Sequence, residues 1–224
     1  MHHVLFVAGQ SLAGMFIAHH GKGFDALVRD RAPEAPEVVV SGHAPGGTVA
    51  STTNLYTDDE TREAWWDLEA DAPTNVSRVA LHKAGRNKKY CAALLWDQGQ
   101  SDATAARGRI GQNPMRVVED YAAATSRVLN ALRWALRPHD PYSLPILFMP
   151  MAPPAPWHGA YCAGTMPILM RQKQIIAATP NCHVAGDLTE MTRQDSVHPD
   201  AAGMALYAGH VADAFVRHVI RPTI

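Results

Sequence analysis

Ser11 stands where an apolar run, Val4-Leu5-Phe6-Val7-Ala8, breaks at Gly9-Gln10, just ahead of an Ala-containing segment. The layout is that of a strand, a tight turn and a helix N-terminus. A hydroxyl at such a turn, close to helix-terminal N–H groups, suits a nucleophile whose product is an oxyanion. Near the other end of the chain, Asp195-Ser196-Val197-His198-Pro199 carries a carboxylate and an imidazole three positions apart. A serine hydroxyl is a poor nucleophile at neutral pH and needs an adjacent base. His198 is the candidate base, and Asp195 could hold its ring tautomer and stabilise the imidazolium.

A tetrahedral oxyanion also needs preorganised donors. The backbone N–H groups of Ser11 and Gly47 and the side-chain amide of Gln98 are the candidates. Gln10 and Gln100 complete the expected oxyanion- or substrate-binding set. Gly46-Gly47 suits a backbone that must come close to substrate. These residues fall in four segments that each follow a predicted strand or precede the last helix: Gly9–Ser11, Gly42–Thr48, Asp97–Asp102 and Asp195–His198. In open α/β sheets, ligands bind beyond the carboxyl ends of the strands.

The elements that must position them are legible as alternating patterns. Short, nearly continuous apolar runs at Val4–Ala8, Val38–Ser41, Cys91–Trp96, Leu144–Met149 and His183–Gly186 read as parallel strands covered on both faces. Asn113-Pro114 opens the clearest helix, with a capping residue followed by proline at the first helical position. Its apolar stripe runs through Val118, Tyr121, Leu129 and Leu136. A second helix is expected from about Asp200 to Ile220, and a first from Leu12 to Arg29, the latter weakened by Gly21 and Gly23. Strands alternating with helices imply one α/β domain over residues 1–224, a doubly wound three-layer sandwich with a parallel sheet of about five strands. The proline-rich run Pro150–Trp157 reads as a stiff loop, because its prolines lack N–H donors.

Bulk composition excludes several classes. The formal net charge of -1 leaves no footprint for nucleic acid. No apolar stretch is long enough to span a membrane, and the first residues lack the pattern of a signal peptide. Three cysteines, Cys91, Cys162 and Cys182, with no C-x-x-C pair, argue against a disulfide framework or a zinc knuckle. The 12 histidines are scattered, so no metal or other cofactor is expected. The expected partner is a small-molecule or saccharide ester.

Four blocks taken together resemble the SGNH hydrolase superfamily, and within it the sialate O-acetylesterase-like, or carbohydrate esterase family 6-like, group. They are Gly9-Gln10-Ser11 with Ala13, Gly46-Gly47-Thr48, Trp96-Asp97-Gln98-Gly99-Gln100-Ser101-Asp102, and Asp195-Ser196-Val197-His198-Pro199. They occur in the family's order, and the Trp-x-Gln-Gly-x-Ser-Asp block is the most specific. The resemblance implies a flavodoxin-like sandwich, a Ser-His-Asp catalytic set without metal, and removal of O-acetyl groups from sugars or similar esters. Two positions depart from the pattern. Gln100 stands where the family usually has glutamate, and Leu12 where it often has asparagine. A glutamine cannot offset an imidazolium charge, which leaves the orienting role to Asp195.

Other readings compete at each position. Ser11 could cap the first helix, Gln98 could brace backbone, and Asp102 could tie a loop. Trp65, Trp66 and Trp157 could be core or sugar-stacking platforms. For the whole chain the competitors are a broader short-chain carboxylesterase or lipase-like enzyme, and a catalytically impaired carbohydrate-binding module on the same fold.

Overall fold

The computed structural model describes residues 2–54, 63–106, 113–151, 159–194 and 198–222, with the backbone alone for 159–163. The chain begins with β1 (His2–Gly9), followed by α1 (Ser11–His20), α2 (Phe24–Arg31) and β2 (Glu37–His43). Three short strands come next: β3 (Val49–Ser51), β4 (Ala64–Asp67) and β5 (Ala72–Pro73). After α3 (Asn75–Asn87) come β6 (Cys91–Asp97), α4 (Gln100–Ala105) and α5 (Pro114–Leu136). The chain closes with β7 (Ile146–Phe148), α6 (Gly159–Ala178), β8 (Cys182–Val184) and α7 (Ala201–Phe215).

The central sheet has five strands in the order β2-β1-β6-β7-β8, and every pairing within it is parallel. Its strands are the five apolar runs of the sequence. The inner strands β1, β6 and β7 lack alternation because both faces are covered, whereas the edge strands leave Val39 and Val184 exposed. On one face, Phe6, Leu94 and Phe148 pack with Tyr121 and Leu129 of α5. On the other, Leu5, Val7 and Leu95 pack with Phe16 of α1 and Tyr207 and Phe215 of α7. Among the described residues, no helix is long and apolar enough to cross a membrane.

Most expected elements appear where their patterns placed them. Asn113 caps α5 by accepting from the Met115 N–H at 3.0 Å, and Asp200 caps α7 by accepting from the Gly203 N–H at 2.8 Å. The α7 helix ends at Phe215, and a single π turn over Val216–Ile220 completes the expected span. The predicted helix over Leu12–Arg29 is instead two helices, divided at residues 21–23 where Gly21 and Gly23 lie. A second small sheet, ordered β3-β4-β5, packs beside α5. It carries Trp65 and Trp66 into the core, where the Trp65 ring meets Trp96 edge-on at 5.2 Å. These two tryptophans are core residues, not sugar platforms. Trp157 and the proline run lie outside the described residues, apart from Pro150 and Met151.

Candidate active site

The site is built on β1, a strand flanked by β2 and β6. Where β1 ends, Gly9 takes φ +145°, a conformation L side chains rarely adopt, and an added Cβ would stand 1.9 Å from the Asp97 carbonyl oxygen. Only glycine fits there. The tight approach lets the Gln10 N–H donate to that carbonyl at 2.9 Å, which ties the turn to the end of β6. Gln10 is the N-cap of α1 and makes no side-chain cap bond. Ser11 is therefore the first helical residue rather than the cap, and its half-buried hydroxyl rides on the first turn. The N–H groups of that turn have no intrahelical acceptors, and the helix dipole adds positive potential there.

On the β2 side, Ala8 pairs with His43, so the loop after β2 leaves beside the turn carrying Ser11. Gly47, at φ +72°, is exposed with open space where a Cβ would be. The following Thr48 is buried and its hydroxyl accepts from the Trp65 indole N–H at 3.1 Å.

On the β6 side the structure reassigns Gln98. Its side chain is fully buried. Its amide donates to the Thr48 carbonyl at 2.8 Å and to Asp102 Oδ2 at 3.1 Å. Both amide protons are spent on the protein, so Gln98 braces the β2 loop and is not placed as an oxyanion donor. Asp102 ties the same loop: it accepts from the Ala50 N–H at 3.0 Å and the Asn54 amide at 2.9 Å. Burial raises its carboxyl above the ordinary range, and these donors pull the other way.

Gln100 is also buried, at 6 % exposure, and donates through Nε2 to Asp97 Oδ1 at 3.2 Å. The second oxygen of Asp97 accepts from the Tyr207 hydroxyl of α7 at 2.9 Å. Asp97 thus joins three parts of the edge: the backbone before Ser11, the side chain of Gln100, and the helix that follows His198. Burial pushes its carboxyl up to about 6, against the pull of the Gln100 and Tyr207 hydrogen bonds. The sequence reading assigned Asp97 and Tyr207 no role. The available signal was an aspartate closing a strand otherwise free of charge.

His198 is half-buried in the segment entering α7. Its carbonyl accepts from the Gln194 N–H at 3.0 Å, Arg193 bridges Pro199, and the Thr192 hydroxyl donates to the capping Asp200 at 2.6 Å. The Tyr207–Asp97 bond then docks α7 against the end of β6. Asp195 lies outside the described residues. Among the described residues, no three His, Cys, Asp or Glu side chains group to hold a metal ion. Cys91 is buried within β6 and its thiol is pushed up to about 12 by desolvation, so it is inert core.

No family model matches the chain. Solved structures do match its fold. A lipase from a goat rumen metagenome superposes with a TM-score of 0.61, over 95 % of this chain and 97 % of its own, at 12 % identity. An acetyl esterase variant crystallised with acetate gives 0.53, over 96 % and 97 %, at 15 % identity. A Geobacillus acetyl-xylooligosaccharide esterase variant gives 0.50, over 96 % and 93 %, at 14 % identity. At these identities the likeness is one of fold: the chain has the three-layer architecture of SGNH-type hydrolases.

Proposed function

We propose that this protein is a serine esterase of the SGNH type that removes a small acyl group, an acetyl, from a carbohydrate or similar alcohol. The observation that carries this reading is Ser11 at the first position of α1, off the end of β1, where Gln10 and not Ser11 holds the N-cap position. In this reading His198 takes the Oγ proton as Oγ attacks the ester carbonyl. The developing oxyanion is met by the N–H groups of Ser11 and Gly47, since the amide of Gln98 is committed elsewhere. Collapse breaks the ester C–O bond, and the alcohol leaves with the proton held by His198. A water molecule, deprotonated by the same imidazole, then releases acetate and restores Ser11. Asp195 is assigned the orienting role by its sequence position alone. The acetyl and carbohydrate preferences rest on the family resemblance, and solved structures of acetyl esterases on the same fold support them.

The test is release of acetate from acetylated saccharides, together with turnover of p-nitrophenyl acetate. Saccharide binding without turnover of either would instead mark a binding module on this fold. The lipase neighbour favours a second reading, a broader carboxylesterase acting on short acyl chains. A kcat/KM for octanoate esters above that for acetate esters would select it.

A further inference from the structure

Away from the strand ends that carry Ser11, an open groove of about 550 Å³ runs between α5 and α6. Three guanidinium groups line it: Arg127 and Arg133 from α5, and Arg171 from α6. Among the described residues no carboxylate lines it. Arg133 is the buried one of the three, at 2 % exposure. Its Nη2 donates to the carbonyl oxygens of Leu144, at 3.3 Å, and of Pro180. Those residues come just before β7 and β8, so the groove lies at the amino end of the sheet, opposite the edge that holds Ser11.

The charge in this groove is not balanced by the protein. Arg127 is paired through Nε with Asp71. Arg133 forms no ion pair among the described residues, and Arg171 only donates from Nη1 to the neutral Gln174 Oε1 at 2.9 Å. A brace on two carbonyls needs no more than N–H donors. A guanidinium adds a full charge that it cannot shed, and holding that charge out of water without a counter-ion is costly. An anion in the groove offsets that cost, and guanidinium forks match the oxygens of carboxylates and phosphates. The rest of the lining says what carries the anion. Asn130 and Gln174 are exposed amides that both donate and accept, as hydroxyls require. The Tyr142 ring is 51 % exposed and stands 5.8 Å from the Arg133 guanidinium, an aromatic face open to the apolar side of a ring. We infer that this groove is a second, non-catalytic binding site for an acidic sugar, bearing a carboxylate or a phosphate, with its oxyanion held at Arg171 above the buried charge of Arg133 and its ring against Tyr142. The inference goes beyond the esterase reading and does not depend on it.

The test is titration of the isotope-labelled full chain with glucuronate, glucose 6-phosphate and neutral methyl glucoside, followed by the amide shifts in NMR spectra. Both charged sugars should bind saturably and move the amides around Asn130, Tyr142 and Gln174, and the tighter of the two identifies the anion. The neutral glucoside should bind about tenfold more weakly or worse, and added salt should weaken the charged sugars. Arg171→Gln should raise their Kd about tenfold, and Arg133→Met should raise it further. The second variant also loses the brace on Leu144 and Pro180, so where it does not fold, Arg171→Gln decides. Tyr142→Ala should weaken both charged sugars and leave inorganic phosphate unchanged. A neutral glucoside that binds as tightly, shifts gathered at the Ser11 edge instead, or affinities untouched by Arg171→Gln would each overturn the inference. Inorganic phosphate bound as tightly as the charged sugars, with Tyr142→Ala silent, overturns the assignment to a sugar. A parent that binds these sugars but hydrolyses no ester overturns the esterase reading and leaves this one standing.

Discussion

Asp97→Asn should change the pH dependence of folding stability in a calculable way. Asp97 is fully buried, and desolvation raises its carboxyl from an ordinary 3.8 to about 6. The folded state therefore binds this proton more tightly than the unfolded state. The sign follows: the contribution of Asp97 is fully favourable below pH 3.8 and is lost as pH rises through 6. At about 1.4 kcal/mol per pH unit, the loss is about 3 kcal/mol, most of it between pH 4 and pH 7. Asparagine cannot ionise, so the variant escapes this loss. It offers one oxygen and one amide where the carboxylate offered two oxygens to Gln100 and Tyr207, which adds an offset that does not vary with pH. Denaturant unfolding of both proteins at pH 4, 5, 6, 7 and 8 would give the difference directly, since all other titrating groups cancel. The stability of the variant relative to the parent should climb by about 2.4 kcal/mol from pH 4 to pH 7 and then flatten. A difference that is flat with pH, or that falls as pH rises, would refute the burial argument.

Gly9→Ala should cost more than 2 kcal/mol or so, because the new methyl meets the Asp97 carbonyl at 1.9 Å and the φ of +145° is strained for any side chain; a melting temperature within a degree of the parent would contradict it. In the proposed mechanism, His198→Ala should abolish nearly all activity; a folded variant that stays active would mean another base. Asp195→Asn should cost up to about 10⁴ in kcat if it orients that base, far more than Gln100→Ala on the same acetyl ester, and the reverse order would reassign the role. Gln98→Leu should act chiefly on stability, since it frees the Thr48 carbonyl and Asp102 in the interior; a folded, fully stable variant with collapsed kcat would restore Gln98 to the oxyanion hole.

The central sheet was legible because burial on both faces writes itself as continuous apolar runs, and Asn113-Pro114 marked the start of α5 directly. The break between α1 and α2 was signalled by Gly21 and Gly23, which weakened the single helix read over Leu12–Arg29 without dividing it. The small sheet was not legible: its strands span three, four and two residues, too short for any period to show. Trp65 and Trp66 could not be sorted between core and platform until their strand was placed against α5. At the site, the residue types and the strand ends were readable, whereas the destination of individual protons was not. Gln98 and Gln100 look alike in sequence. One has its amide consumed by Thr48 and Asp102, and the other is clamped by Asp97 with an oxygen left over. Long-range partners decide that difference, such as Tyr207, which lies 110 positions from Asp97.

The nucleophile carries the account, and active-site labelling tests it most directly. The protein would be treated with a fluorophosphonate and digested, and the peptides weighed. One adduct is expected, on the peptide containing Ser11, absent in Ser11→Ala, which should also lose several orders of magnitude in kcat while staying folded. An adduct on Ser101, or a Ser11→Ala variant that hydrolyses acetyl esters like the parent, would contradict it.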